Sequence, residues 1–361
     1  MESSKPFVAW KLISHAAILS QDAGYHRLPD QSANGDDKYK RIAFWYLYAA
    51  EKGFCFNIGR SSVFQDYDIT TVRPSCPGDL EAPWGAFYLR WLDLARLQGE
   101  IYQQLFSGGA RYTSTEVRAQ RARILVQKLW TIYDPSLFVR AELEARPCRF
   151  PIAGNDEPDK EFENYQSAAS NPVSIESLNT FKLLFYSVLT LVCRIISPQP
   201  KTHPLQSTDE CKSAACTVLN IYNQTWGLIT ENGTEFGIKF VHWYVGLGLL
   251  SSELANRFDR TILFCPFVSY LVVFGAVIVE SSHEYLRILE NTSRILHSAA
   301  EFSPEMEKLD HACGRFYQAA KTYLELPVQS SHPDSESQNL CHDFVGTAEQ
   351  SEPQQPLGST E

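Results

Sequence analysis

The chain has 361 residues, a net charge of −10 and an apolar fraction of 44%, which together exclude an intrinsically disordered protein and leave ample material for a buried core. The acidic balance excludes a broad phosphate-gripping surface, because that needs clustered Lys and Arg. None of the nine cysteines has a partner two residues away, so C-x-x-C metal and redox motifs are excluded and the thiols read as reduced, small apolar groups.

Glu2, Lys5, Lys11 and His15 interrupt any apolar core at the start, so the N-terminus does not read as a signal peptide. Apolar residues then recur near helical period from Phe7 to Leu19, and Gly24 stands where a C-cap belongs. The next segment organises the rest. Ile42 to Ala50 is an unbroken run of nine apolar residues behind Lys40 and Arg41, with Asp36 and Asp37 upstream where helix N-termini favour acids. A helix apolar on every face must be enclosed by other helices. The run therefore predicts a central helix that closes at Glu51-Lys52-Gly53, after which the chain turns through Gly59-Arg60 into an acidic loop, Gln65-Asp66-Tyr67-Asp68.

Residues 72–83 are turn-rich, with Pro74, Pro77, Gly78 and Pro83. The spacing of Leu94, Leu97, Ile101 and Leu105 predicts a helix from Phe87 to Phe106, ended by Ser107-Gly108-Gly109. Thr113 to Glu116 offers helix-start chemistry for a helix reaching Tyr133. Its Arg118, Arg121 and Arg123 read as a solvated outer face with a few ion pairs, in preference to a surface for nucleic acid or an acidic partner. Residues 145–172 are polar and crowded with acids, as an internal linker would be.

Helical patterns follow over 174–196, 209–229, 236–258, 267–288 and 305–324. Thr261 to Val279 carries no charge over nineteen residues. Pro266 leaves about a dozen of them for uninterrupted helix, short of the roughly 20 that a bilayer needs. That segment reads as a buried core helix, and no membrane partner is expected. With no period-2 alternation long enough for a sheet, the pattern predicts an all-α, bundle-like domain over 1–326. Residues 327–361 carry six acidic residues, four prolines and no Lys or Arg, and read as a disordered acidic tail.

Chemistry-bearing constellations are weak. Gly108-Gly109 lacks the Lys-Ser of a phosphate loop, and no G-x-S-x-G or H-E-x-x-H occurs. Asp66 and Asp68, two apart with no third ligand nearby, read as a capped turn before a metal pair. His242 reads as a core or surface histidine, and Cys216 and Cys265 sit among apolar neighbours that hold thiols protonated. Trp45, Tyr48, Trp226, Trp243 and Tyr244 either line an apolar pocket between helices, open to a small-molecule effector, or form ordinary aromatic core. No residue is assigned a catalytic or metal-binding role, and no cofactor is expected in this chain.

Arg41, Phe44, Trp45, Leu47 and Tyr48, followed by Gly59-Arg60 and Asp66, Asp68 and Ile69, resemble the middle homology region of fungal zinc binuclear cluster transcription factors. That family carries a pattern of the kind R-x-x-x-F-W-x-L-Y-x-x-D-R, then G-R-P and D-x-D-I. Here Arg41 stands one residue closer to Phe44, Glu51-Lys52 replaces the Asp-Arg, and Ser61 replaces the Pro. Gln21 to Arg27 is similar to the family's A-x-x-L-G-L-H-R segment, with Tyr25 for Leu. The motifs cover residues 14–74.

The resemblance implies an all-helical regulatory domain, a nuclear location and a role in transcription through co-regulators or a DNA-binding partner. It implies Arg60 and Asp66 as anchors of the loop after the central helix, through charge-assisted hydrogen bonds. The family's zinc cluster needs six closely spaced cysteines, which this sequence lacks, so zinc is expected only with a missing upstream module and no direct nucleic-acid contact is expected here. The start of the chain inside a family-like segment reads as the later part of a longer domain. The alternative is a helical ligand-binding or protein-interaction scaffold with no transcriptional role.

Overall fold

The computed structural model describes residues 6–29, 35–75, 84–133, 172–232, 267–300 and 304–325. Among them run α1 (Pro6–Asp22), α2 (Gly35–Asn57), α3 (Trp84–Ile101), α4 (Thr115–Ile132), α5 (Pro172–Cys193), α6 (Asp209–Asn232), α7 (Phe267–Glu280), α8 (His283–Ala299) and α9 (Pro304–Glu325). No strand occurs among the described residues. The fold is all-α.

Neighbours in sequence are mostly neighbours in space. The helix α2 packs between α1 and α3, while α3 and α4 lie against α5. Beyond them α6 packs on α5, α7 and α8, and α7, α8 and α9 close on one another. Two apolar clusters result. The larger draws Leu94, Ile101, Leu125, Phe185, Val218, Val273, Leu289 and Cys313 from α3 through α9. The smaller, in the corner made by α1, α2 and α3, gathers Ala17, Phe44, Trp45, Tyr48, Phe64 and Leu92.

The central helix differs from expectation in two ways. It does not close at Gly53: it runs on to Asn57, burying Phe54, Cys55 and Phe56. Gly53 falls on the seam with α3, where an added Cβ would lie 3.4 Å from the Gln98 amide oxygen, and Gly59, at φ 65°, makes the turn instead. Nor is the apolar run enclosed on every face, since Ala43 is exposed and Tyr46 is 58% exposed. Two packed neighbours cover only part of a helix surface.

Farther along, the single helix expected over 267–288 is two helices. Ser281 sits at φ 49° between α7 and α8, a left-handed conformation rare outside glycine. The continuous apolar pattern of the sequence hides this break. The other helices start and stop near their predicted ends, with Ser114 capping α4 by accepting from the Val117 amide at 3.4 Å. The helix α3 passes into a π-helical turn, Tyr102–Phe106. No described helix is long and apolar enough to cross a membrane. The expected helix over 236–258, residues 145–171 of the linker, and the 327–361 tail lie outside the described residues.

Candidate functional site

Positions 44, 48, 51, 52 and 55 recur at threes and fours along α2 and so share a face. That face holds the acidic loop. Glu51, fully buried, accepts hydrogen bonds from the Val63 amide at 2.8 Å, the Ser62 hydroxyl at 2.5 Å and the Cys55 thiol at 3.1 Å. Lys52, only 4% exposed, donates to the Phe64 carbonyl at 3.2 Å and reaches the Asp66 carboxylate at 3.3 Å. The Tyr48 hydroxyl donates to the same carboxylate at 2.6 Å. A buried carboxylate and a buried ammonium persist in a dry interior only when their hydrogen-bonding capacity is used. Here the loop backbone uses it.

Burial, helped by the Asp66 carboxylate, pushes the Tyr48 phenol well above its ordinary value. Burial and then the Glu51 charge do the same to the Cys55 thiol, so both keep their protons as hydrogen-bond donors. Aromatic edges complete the corner: Phe44 meets Trp45 and Phe64 with ring centroids 5.4 Å apart in each case.

The far end of the loop is tied to the segment after α1. Gly24, at φ 76°, turns the chain. The Thr70 and Thr71 amides then donate to the His26 carbonyl at 2.9 and 3.1 Å. The Thr71 hydroxyl donates to the Tyr25 carbonyl at 2.6 Å and accepts from the Leu28 amide at 2.8 Å. Arg27 pairs with Asp68, whose carboxylate also lies 3.7 Å from the His26 ring. Just beyond, the Trp45 indole donates to the Val72 carbonyl at 2.9 Å, and Arg73 reaches Asp93 of α3 at 2.7 Å.

The structure therefore brings together most of the residues singled out in sequence, in unequal roles. Phe44, Trp45 and Tyr48 are buried core, and Leu47 packs against them. Asp66 anchors the loop. Asp68 points to different partners, so the two carboxylates form no pair. Arg60 spans to α1, with its guanidinium over the Trp10 ring at 4.3 Å, a stacking contact that the sequence did not indicate. Arg41 is half-buried, and its Nε makes no hydrogen bond among the described residues. Trp45 and Tyr48 are packed side chains and do not border the cleft described below. The Trp226 side chain, Trp243 and Tyr244 lie outside the described residues, as do His242 and Cys265.

Two expectations about charge and thiols can be placed. Arg118 and Arg121 donate to the Leu105 and Gln104 carbonyls at 3.2 and 3.3 Å. They cap the π-helical turn, and only Arg123 of the three is exposed. Burial raises the Cys216 thiol to about 11, leaving it protonated and unreactive at neutral pH. Among the described residues no group of three or more His, Cys, Asp and Glu could hold a metal.

Sequence reasoning missed the cleft beside the loop. It has a volume of about 580 Å³ and lies between the loop, the last turns of α3 with the π-helical turn, and Lys128 of α4. Lys52 forms part of its wall, and Gly99 leaves the ammonium its room, since a Cβ there would sit 3.0 Å from Nζ. The one sequence signal for the lock was Glu51-Lys52 itself, a charge pair inserted between Ala50 and Phe54 where apolar residues would otherwise continue. Comparisons with protein families, with curated proteins and with solved structures found no match.

Proposed function

We propose that this chain is a regulatory domain of the fungal zinc-cluster transcription factor type, acting in the nucleus on transcription through a co-regulator or a DNA-binding partner. One observation carries the reading: the motif-like segments are each other's partners. Residues at the F-W-x-L-Y positions form the aromatic corner, and Glu51-Lys52 holds the loop that bears Asp66. The Tyr25-His26-Arg27 segment is bonded to the end of that loop at Asp68, Thr70 and Thr71. That residues from Tyr25 to Thr71 all serve one local structure supports reading them as a single motif. The acidic net charge and the use of Arg118 and Arg121 as internal caps fit a domain that works through protein partners.

The test is recruitment. Fused to a foreign DNA-binding domain in a fungal host, the full chain should raise or lower a reporter, and Glu51→Ala at equal protein level should weaken that effect. A fusion that accumulates in the nucleus and leaves the reporter unchanged sinks the transcriptional reading and leaves a helical binding scaffold.

A further inference from the structure

Independently of that role, we propose that the acidic tail of this chain docks on the outer face of α4, with residues 334–345 as the docking segment. The charge distribution is the first argument. The described residues carry 24 Lys and Arg against 20 Asp and Glu, a balance of +4, whereas the remainder carry 8 against 22, a balance of −14. The net charge of −10 is therefore the sum of a positive helical body and strongly acidic segments. The positive excess is concentrated on α4, where Arg118, Arg121, Arg123 and Lys128 stand against a single acid, Glu116. The bonds of Arg118 and Arg121 to the Leu105 and Gln104 carbonyls use donors and leave both charges in place. Opposite fields of this kind steer two surfaces together and select one partner over others.

The second argument is apolar surface on the same helix. Val117 and Ile124, seven residues apart and so on one side of α4, are 41% and 48% exposed. Arg121 and Lys128 follow them by four residues each and border this stripe, and exposed Arg123 precedes Ile124. The tail is the matching segment. Its large apolar residues cluster at Leu340, Phe344 and Val345, among Asp334, Glu336 and Asp343, and it has no Lys or Arg from 327 to 361. Leu340 and Phe344 are four apart, the spacing at which an amphipathic segment presents anchors to an apolar face. The acids at 156–163 are the poorer match, being interrupted by Lys160 and preceded by Arg140, Arg146 and Arg149.

Chain length permits the contact. Leu340 lies 15 residues beyond Glu325, the last residue of α9, and that length of chain spans up to about 50 Å. A body of this size has a radius of gyration of about 20 Å, so α4 is within reach. A tether of this kind supplies an effective concentration on the order of 1 mM. A contact with an intermolecular Kd of only about 0.1 mM would then be closed about nine-tenths of the time. Docking covers Phe344 and neutralises the acids beside it, so any partner that takes the tail competes with α4 for it.

The experiment is chymotryptic cleavage after Phe344 in the full chain, followed by mass spectrometry beside a synthetic peptide of residues 334–350. At low salt the full chain should be cut about tenfold more slowly than the peptide, because only the undocked fraction is a substrate. Sodium chloride at about 0.5 M should remove most of that difference by screening. Arg123→Glu combined with Ile124→Ser, two exposed side chains, should remove it as well, with the helical circular dichroism unchanged. Asp334→Asn, Glu336→Gln and Asp343→Asn together, compared with a peptide of their own sequence, should do the same without touching a helix. Equal rates in chain and peptide overturn the proposal. So does slow cleavage that neither salt nor either set of variants relieves, which would put the tail on another surface. Protection that fades on dilution would assign the tail to the α4 of a second copy, and overturns the contact within one chain. No promoter is involved, so this result and that of the reporter are separate.

Discussion

The corner made by α1, α2 and α3 and the bundle made by α5 to α9 are both buried, and they are held together by different chemistry. In the bundle the fully buried residues are overwhelmingly Val, Leu, Ala and Phe. Its buried Thr190 and Thr292 merely return hydrogen bonds to their own helix, to the Tyr186 and Ile288 carbonyls at 2.8 and 2.9 Å. Among the described residues Tyr270, which bonds Ser293 and the Cys313 carbonyl, ties α7 to α8 and α9. In the corner, by contrast, a buried carboxylate and a buried ammonium hold a loop in place, and nearly every contact names a specific atom. Apolar packing tolerates volume-conserving exchange, whereas a satisfied polar network fails when one member is lost. The corner thus encodes a conformation and the bundle a stability.

That contrast can be broken from either side. Phe185, fully buried amid Trp130, Tyr133 and Tyr186, belongs to the bundle side. Phe185→Ala should cost about 3–5 kcal/mol in chemical denaturation, with amide exchange in α5 and α6 accelerating together, as expected for cooperative unfolding. Glu51→Ala should cost less, about 2–3 kcal/mol, because it strands donors whose bonds cannot be replaced in place. Its signature is local: the Val63 amide, which now donates to Glu51 at 2.8 Å, should exchange at least about tenfold faster than expected from the global loss alone. If Glu51→Ala instead lowers protection uniformly, the loop is part of the global folding unit and the two regions are not distinct.

The same contrast explains what could be read from the sequence. Helical period is carried by the spacing of apolar residues, so α1, α4, α6 and α9 were legible within a few residues. The break at Ser281-Ser282 was not, because Val279 and Ile288 preserve the apolar pattern across it while the backbone leaves the helix. Gly53 misled in the other direction. It looks like a helix stop, and it is a packing choice dictated by Gln98 on another helix, which no local rule reveals. In the site, the aromatic run and the acidic loop stood out in the sequence, but their roles did not: Glu51 and Lys52 read as the polar end of a helix until the fold placed the loop over them. The cleft was invisible for a stronger reason. Lys52, Arg96 and Lys128 come from three helices, and nothing in the sequence indicates that those positions meet.

The smallest expected effect is the sharpest test of the corner's kinship. Ser61 occupies the place where the resembling family carries Pro. Its amide donates no hydrogen bond among the described residues, its side chain is exposed, and neither it nor Arg60 has a positive φ. Pro requires the first two of these conditions, a free donor and room for its ring. It prefers a preceding residue in the extended region, and neither Arg60 nor Ser61 lies in a helix. Ser61→Pro should therefore stabilise the chain by about 0.4–1 kcal/mol, by removing conformations from the unfolded state and leaving the native contacts unchanged. Denaturation midpoints at unchanged slope would register it. A loss of more than about 1 kcal/mol would mean that the backbone at Ser61 cannot take the proline φ near −65°. The turn after α2 would then follow a course different from the family's, and the resemblance would reduce to shared aromatic residues on one helix.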